Sequence, residues 1–483
     1  MDRTPGADEA AGRHGQKPGR RTFLRTTGAL GAAAAGGSIT GVAGGSARAA
    51  NRPRSIGLDW EAGIPDVHGY PTLRELHRGV RAVRRDHPQR TELRTVGRSR
   101  AGRDILMISV GAGRNNALVL GGPHPNEPTG FLTALHLARL GARHPELAEG
   151  LDVTWHIVPC MDPDAMRLGE KWYDGPHTIQ NYYGKFYRPA FRNQVEWTFP
   201  VEGGFDDPLP ETRALMALID DLKPKLVYTL HSSDFTGFHF MTNRNIPELV
   251  SGMERAIAKR GFPFHAAPAD GGATPLGRGS FLLAEPEPSV PGEQMVHGVS
   301  SIHYAAARHG ALGVLPETPM WHCPRFEETD GSGHRYDRLL GRTADRLEHD
   351  GDILAETVRH TRGSLPASSP YAISVAEHLR LAELTARAYR RMATEPTAVR
   401  EATVAERFAL LWMAYSLPLR AGGMLLQLLE GPGVDARHAR RRLRTWFVRR
   451  CSQMQRDFPG HGLDLRELAA VQIDVAFTAA RCL

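Results

Sequence analysis

Gly121-Gly122-Pro123-His124-Pro125-Asn126-Glu127 follows the short apolar run of residues 117–120, and His231 closes a second such run, residues 226–230. Short apolar runs bounded by Gly and Pro predict buried strands. A His, a carboxylate three residues later and a distant second His then each stand at the carboxyl end of a strand, where one sheet can aim all three at a single ion. Two imidazoles and one carboxylate are a zinc donor set that leaves the fourth tetrahedral position to water. His124 and Glu127 are close enough on one turn to chelate. His231, 104 residues after Glu127, must come from a neighbouring strand, which ties the site to the folded sheet.

An isolated His-x-x-Glu also reads as the surface of a Gly/Pro loop, so the surrounding pattern matters. Apolar segments at 105–110, 153–158, 238–241 and 312–315 join the two above and alternate with helical stretches. That alternation predicts a three-layer α/β domain with a mixed, mostly parallel sheet, whose carboxyl edge binds ligands.

From residue 371 onward the texture changes. Residues 373–392, 399–415, 434–456 and 463–482 carry apolar positions at helical spacing, with Leu443, Trp446, Phe447 and Met454 forming one stripe. Pro366 and Pro370 punctuate the junction. The expected organisation is a signal segment over 1–49, a catalytic domain over 50–362, a linker over 363–370 and an all-α C-terminal domain of four or five helices over 371–483. Residues 434–456 hold eight Arg against one Asp, which reads as a solvated face or as a surface for an anionic polymer or substrate.

Over residues 69–324 the chain resembles the zinc carboxypeptidase family. Tyr70-Pro71-Thr72-Leu73-Arg74-Glu75-Leu76 is similar to the family's opening helix, residues 96–105 to its Gly-x-Ser-x-x-Gly-Arg turn, and residues 122–127 to its first metal motif. Pro159-Cys160-Met161-Asp162-Pro163-Asp164-Ala165 resembles its Asn-Pro-Asp-Gly turn with two departures, and residues 210–215 and 230–232 resemble the segments leading to the third ligand. The resemblance implies one Zn2+ ion held by His124, Glu127 and His231. It implies that Glu317, at the end of the run in Val314-Leu315-Pro316-Glu317, takes a proton from the attacking water and returns it to the leaving amine. Arg188 is the candidate for oxyanion stabilisation, with Arg192 next. The family's Asn-Arg pair, which grips a free C-terminal carboxylate, aligns on Glu196 and Trp197. A Trp cannot make a bidentate carboxylate contact and an ionised Glu repels one, so exopeptidase specificity is expected to be altered. Arg192, Trp197 and His297 are the candidate substrate contacts.

Composition is that of a globular enzyme: 41% hydrophobic and 7% aromatic residues exclude a disordered chain. The first 49 residues hold seven Lys/Arg against three Asp/Glu, so only +3 of the formal +7 belongs to the rest, which is no nucleic-acid footprint. Gly19-Arg20-Arg21-Thr22-Phe23-Leu24-Arg25, an Ala/Gly-rich apolar stretch and Ala47-Arg48-Ala49-Ala50 read as a twin-arginine export signal cut after Ala49; a basic tail or an uncleaved anchor is the alternative. Export to the extracellular space or cell envelope, no membrane span after cleavage, and a peptide or cell-wall peptide substrate follow as expectations. Four Cys permit one disulfide in each region or free thiols. The function expected is an exported zinc peptidase, with a cell-wall amidase, a zinc deacylase or a catalytically silent binding module as alternatives.

Overall fold

A computed structural model of the chain describes residues 60–201, 204–267, 273–284, 297–431 and 436–483. The expected export signal at 1–49 lies outside the described residues. The first helix, α1 (Leu73–Asp86), starts where its sequence says it should: Thr72 accepts from the Glu75 amide while the Glu75 carboxylate accepts from the Thr72 amide, and Leu73, Leu76, Val80 and Val83 form one buried stripe.

There follow β1 (Thr91–Arg98), β2 (Asp104–Val110), β3 (Asn115–Gly121), α2 (Thr129–Arg143), α3 (Pro145–Leu151), β4 (Val153–Val158), α4 (Pro163–Gly169), α5 (Ile179–Gly184) and α6 (Pro210–Leu222). Then come β5 (Leu226–Ser233), β6 (His239–Thr242), α7 (Pro247–Ala258), the short β7 (Thr274–Gly277) and β8 (Ser280–Leu282), α8 (Ser301–His309) and β9 (Leu312–Pro319). The nine strands form one sheet in the order β1-β2-β4-β3-β5-β9-β6-β8-β7.

The middle of the sheet, β4-β3-β5-β9, is parallel, as is β6–β8, while β1–β2, β2–β4, β9–β6 and β8–β7 are antiparallel. The sheet is thus evenly mixed rather than mostly parallel. The flanking pairs β1–β2 and β7–β8 are joined by short turns, which only antiparallel neighbours permit. Residues alternate between two faces. Leu118, Val227 and Leu315 pack with α6 and α8 on one side; Val119, Tyr228 and Val314 join a larger core with α1, α2 and α7 on the other.

The all-helical region comprises α9 (Tyr336–Thr361), α10 (Pro370–Ala393), α11 (Val404–Leu429), α12 (Arg437–Asp457) and α13 (Leu465–Ala480). Each helix expected from residue 373 onward is present, and α11 runs on to Leu429 because residues 417–429 are almost wholly apolar and buried. One departure is a two-stranded ribbon, β10 (Gly331–Arg335) with β11 (Glu401–Thr403), the second strand of which falls in the region expected to be all-helical. α9 to α12 pack on one another, whereas α13 lies on α2 and α7, with Phe477 against Trp60 and Trp155. α11 is long and apolar enough to cross a membrane, yet 89% of its most apolar window is buried inside the protein. All four cysteines are free thiols.

Candidate active site

The loop after β3 turns sharply because Gly122 adopts φ +54°, and a Cβ there would sit 1.8 Å from the Phe131 ring. The Glu127 amide then donates to the His124 carbonyl at 3.1 Å, closing His124 and Glu127 into one turn just before α2. Parallel pairing sets Gly121 beside Leu230 and His231 beside Glu317, which brings the loop and two strand ends to one edge of the sheet.

The donor atoms of His124, Glu127 and His231 lie within 4.8 Å of one another, and all three side chains are buried. Both Nδ1 atoms face the carboxylate: His124 Nδ1 is 3.1 Å from Glu127 Oε1, and His231 Nδ1 is 2.9 Å from Glu127 Oε2. His231 Nε2 is buried with no hydrogen-bond partner, the state of a ring nitrogen that is ready to ligate. Burial, then the neighbouring Arg188 cation, pushes His124 down to about 3, so the imidazole is neutral at physiological pH, the form that binds a metal. For Glu127 burial works the other way, but contacts from His124 and His231 outweigh it and hold the carboxyl well below its usual range. Two imidazoles and one carboxylate fit zinc in number, type and spacing.

Arg188 lies directly on this triad, with Nη1 donating to Glu127 Oε1 at 2.8 Å and Nη2 3.0 Å from His124 Nε2. Glu317 enters from β9, part-exposed, with Oε1 3.9 Å from His231 Nδ1. A cation and a carboxylate thus flank the triad, and the carboxylate has a path to solvent.

Two of the remaining candidates, Trp197 and His297, gather on the Phe191 ring. The His297 ring stacks on Phe191 at 5.2 Å and meets Trp197 edge-on at 5.6 Å, while Arg192 is exposed beside that group. The charge of Arg192 acts on Glu377, as does that of Arg188. Glu196 differs from what its charge implies. It is fully buried, Oε1 accepts from Ser301 Oγ at 3.1 Å, Oε2 has no partner, and burial pushes the carboxyl up to about 8. Burial thus favours the carboxylic acid, the form that does not repel a carboxylate as an ionised Glu196 would.

Three of the sequence motifs meet in space. The Arg100 amide and Nε donate to Glu211 Oε1 at 3.0 and 3.1 Å, Arg100 Nη2 reaches Asp162, and Ser99 Oγ donates to Asp164 at 2.7 Å. Sequence reasoning passed over a second buried polar group, centred on Asp234 three residues past His231. It accepts from Trp412 Nε1 at 2.8 Å, Arg420 Nη2 at 3.4 Å and the Tyr183 hydroxyl. The available signal was an acidic residue closing a strand in a chain with an Arg inside the apolar α11.

Residues 76–238 match the family model described as zinc carboxypeptidase. Zinc carboxypeptidase A 1 of Anopheles gambiae is 26% identical over 231 residues, 40% of this chain and 52% of that protein, so the match spans about half of the relative's length. Among solved structures, carboxypeptidase A of Helicoverpa armigera shares 12% identity at a TM-score of 0.38, over 68% of this chain and 75% of the other. A metallo-carboxypeptidase of Burkholderia cenocepacia shares 16% at 0.34, over 54% and 61%.

Proposed function

We propose that the protein, whose residues 76–238 match the zinc carboxypeptidase family model, is a zinc-dependent peptidase that hydrolyses a peptide amide bond by attack of water. The observation that carries this reading is the convergence of His124, Glu127 and His231 with Glu317 and Arg188 on one strand edge. Bound zinc supplies Lewis acidity and lowers the pKa of water toward neutrality. Glu317 accepts the proton of the attacking water and passes it to the leaving nitrogen. Arg188, with N–H groups already turned toward the triad, donates to the carbonyl oxygen as it gains charge.

Substrate choice is expected to depart from a strict preference for free C-termini. Glu196 and Trp197 present a neutral acid and an indole where the family presents an Asn-Arg pair, and neither makes a charge-assisted fork to a carboxylate. This supports a peptidase or amidase acting on a cell-wall stem peptide or another amide. The Arg20-Arg21 segment and the Ala47-x-Ala49 site support export by the twin-arginine route, which N-terminal sequencing of secreted protein would test.

The deciding assay compares matched peptides with free and amidated C-termini, using zinc-loaded protein starting at Ala50 and Glu317→Gln as blank. Cleavage of both supports the amidase or endopeptidase reading. Cleavage of the free form alone makes the protein a carboxypeptidase with its carboxylate contact elsewhere, and cleavage of neither overturns the enzymatic reading in favour of a binding module.

A further inference from the structure

The helix α13 is apolar along most of its length, Leu468-Ala469-Ala470-Val471 and Ile473 included, yet it carries Gln472 with no exposed surface at all. A buried amide costs free energy unless its donors and acceptor are all used. Here they are used on three different segments. Nε2 donates to the backbone carbonyl of His231 at 2.8 Å and to Thr318 Oγ1 at 3.1 Å, and Oε1 accepts from Thr133 Oγ1 at 2.5 Å. The helix is held in register as well, since the Tyr228 hydroxyl donates to the Gln472 carbonyl at 2.7 Å.

The orientation of the amide follows from chemistry. Both threonine hydroxyls can donate or accept, but the His231 carbonyl only accepts, so the NH2 end must face it. The three segments are those that bear the site. Thr133 is on α2, immediately after the turn of His124 and Glu127; His231 is itself a ligand candidate; Thr318 is the neighbour of Glu317. β9 also has prolines at 316 and 319, which lend no amide hydrogen to the ladder there.

We propose that Gln472 is a positioning residue for the metal site, fixing the His231 backbone relative to Glu317 and the α2 turn from a helix more than 240 residues away in sequence. The inference rests on the zinc reading above. It gives a C-terminal helix a part in metal affinity although none of its side chains touches a donor atom. Outer-shell groups of this kind typically govern about 10- to 100-fold in metal affinity or activity.

The test measures zinc affinity by chelator competition, and the visible absorption of the Co2+-loaded protein, for wild type, Gln472→Met, Thr133→Val and Phe477→Leu. Met keeps length and burial but removes all three hydrogen bonds, Val removes only the bond to the amide oxygen, and Phe477→Leu loosens α13 at its contact with Trp60 and Trp155, away from the site. The expected result is zinc affinity lower by about 10-fold or more in Gln472→Met with altered Co2+ bands, a smaller change of the same sign in Thr133→Val, and wild-type affinity in Phe477→Leu despite a lower unfolding midpoint. Should Gln472→Met fail to fold, Thr133→Val against Phe477→Leu decides the matter. Wild-type affinity and spectrum in the two polar variants, or an equal loss in Phe477→Leu, overturns the proposal. A wild-type protein that binds no zinc overturns the zinc reading itself, and so the two failures are distinguishable.

Discussion

Replacing Glu196 by Gln should flatten the pH dependence of stability. The carboxyl is fully buried, has one hydrogen bond to Ser301 and one unpartnered oxygen, and burial raises it from 4.5 to about 8. The folded protein therefore keeps a proton that the unfolded chain releases once the pH passes its ordinary value. A raised folded pKa in an acid means that stability falls as pH rises between about 4.5 and about 8, at up to ~1.4 kcal/mol per unit, and is level outside that window. From pH 5 to pH 8 the loss is on the order of 3 kcal/mol. Gln has nearly the same shape, still accepts from Ser301 and never ionises. Near pH 5 the variant should match wild type to within about 1 kcal/mol, the net value of one hydrogen bond, and by pH 8 it should be the more stable protein. Urea unfolding of both proteins at half-unit intervals isolates this group, because every other titration cancels in the difference. Parallel stability curves for the two would refute the argument and return Glu196 to the ionised state, with repulsion of a substrate carboxylate restored.

Glu317→Gln should lower kcat by about 100-fold or more, since it removes a proton acceptor, while zinc stoichiometry by atomic absorption stays at the wild-type value; loss of zinc instead would make Glu317 a ligand. Arg188→Lys should lower kcat by about 100- to 1,000-fold in steady-state peptide assays, because one ammonium cannot span Glu127 Oε1 and His124 Nε2 as the guanidinium fork does; an unchanged kcat removes Arg188 from the chemistry. Asp234→Asn should cost about 3–5 kcal/mol in urea unfolding, since it leaves Arg420 buried without its counter-charge; a loss below about 1 kcal/mol, the scale of an exposed pair, would show the pair to be solvated.

The centre of the fold could be read in advance because its strands are apolar runs ended by Gly and Pro. Five of the six expected segments fall in β2, β3, β4, β5 and β9, and the sixth, 238–241, overlaps β6 from its second residue. The edge strand β1 escaped notice because Thr91-Glu92-Leu93-Arg94-Thr95-Val96-Gly97-Arg98 buries only its first residue fully, and a solvated edge carries no apolar run. The triad was legible since metal chemistry restricts residue type and local spacing together. Arg188 was legible only through resemblance, and its contact with Glu127 spans 61 positions that no local spacing rule connects. For Glu196 the difference is one of environment: a sequence displays a carboxylate, and only the fold shows that burial favours its protonated form.

The polar groups that matter most around His231 come from late in the chain for a physical reason. At the carboxyl end of a parallel sheet the ladder stops, while backbone carbonyls and ionisable side chains are still enclosed and still require partners. The loop beyond β5 is too short to fold back and supply them. Trp412 and Arg420 of α11 satisfy Asp234, and Gln472 of α13 satisfies the His231 carbonyl. The apolar side chains of the same helices belong to the core that buries Tyr228 and Val314. Packing and polar satisfaction are therefore supplied by the same elements, and displacing α11 or α13 would strip the strand end of both at once. The helical region is thereby coupled to the geometry of the triad even though it contributes no ligand, which is why metal affinity, rather than turnover alone, is the quantity that reports on it.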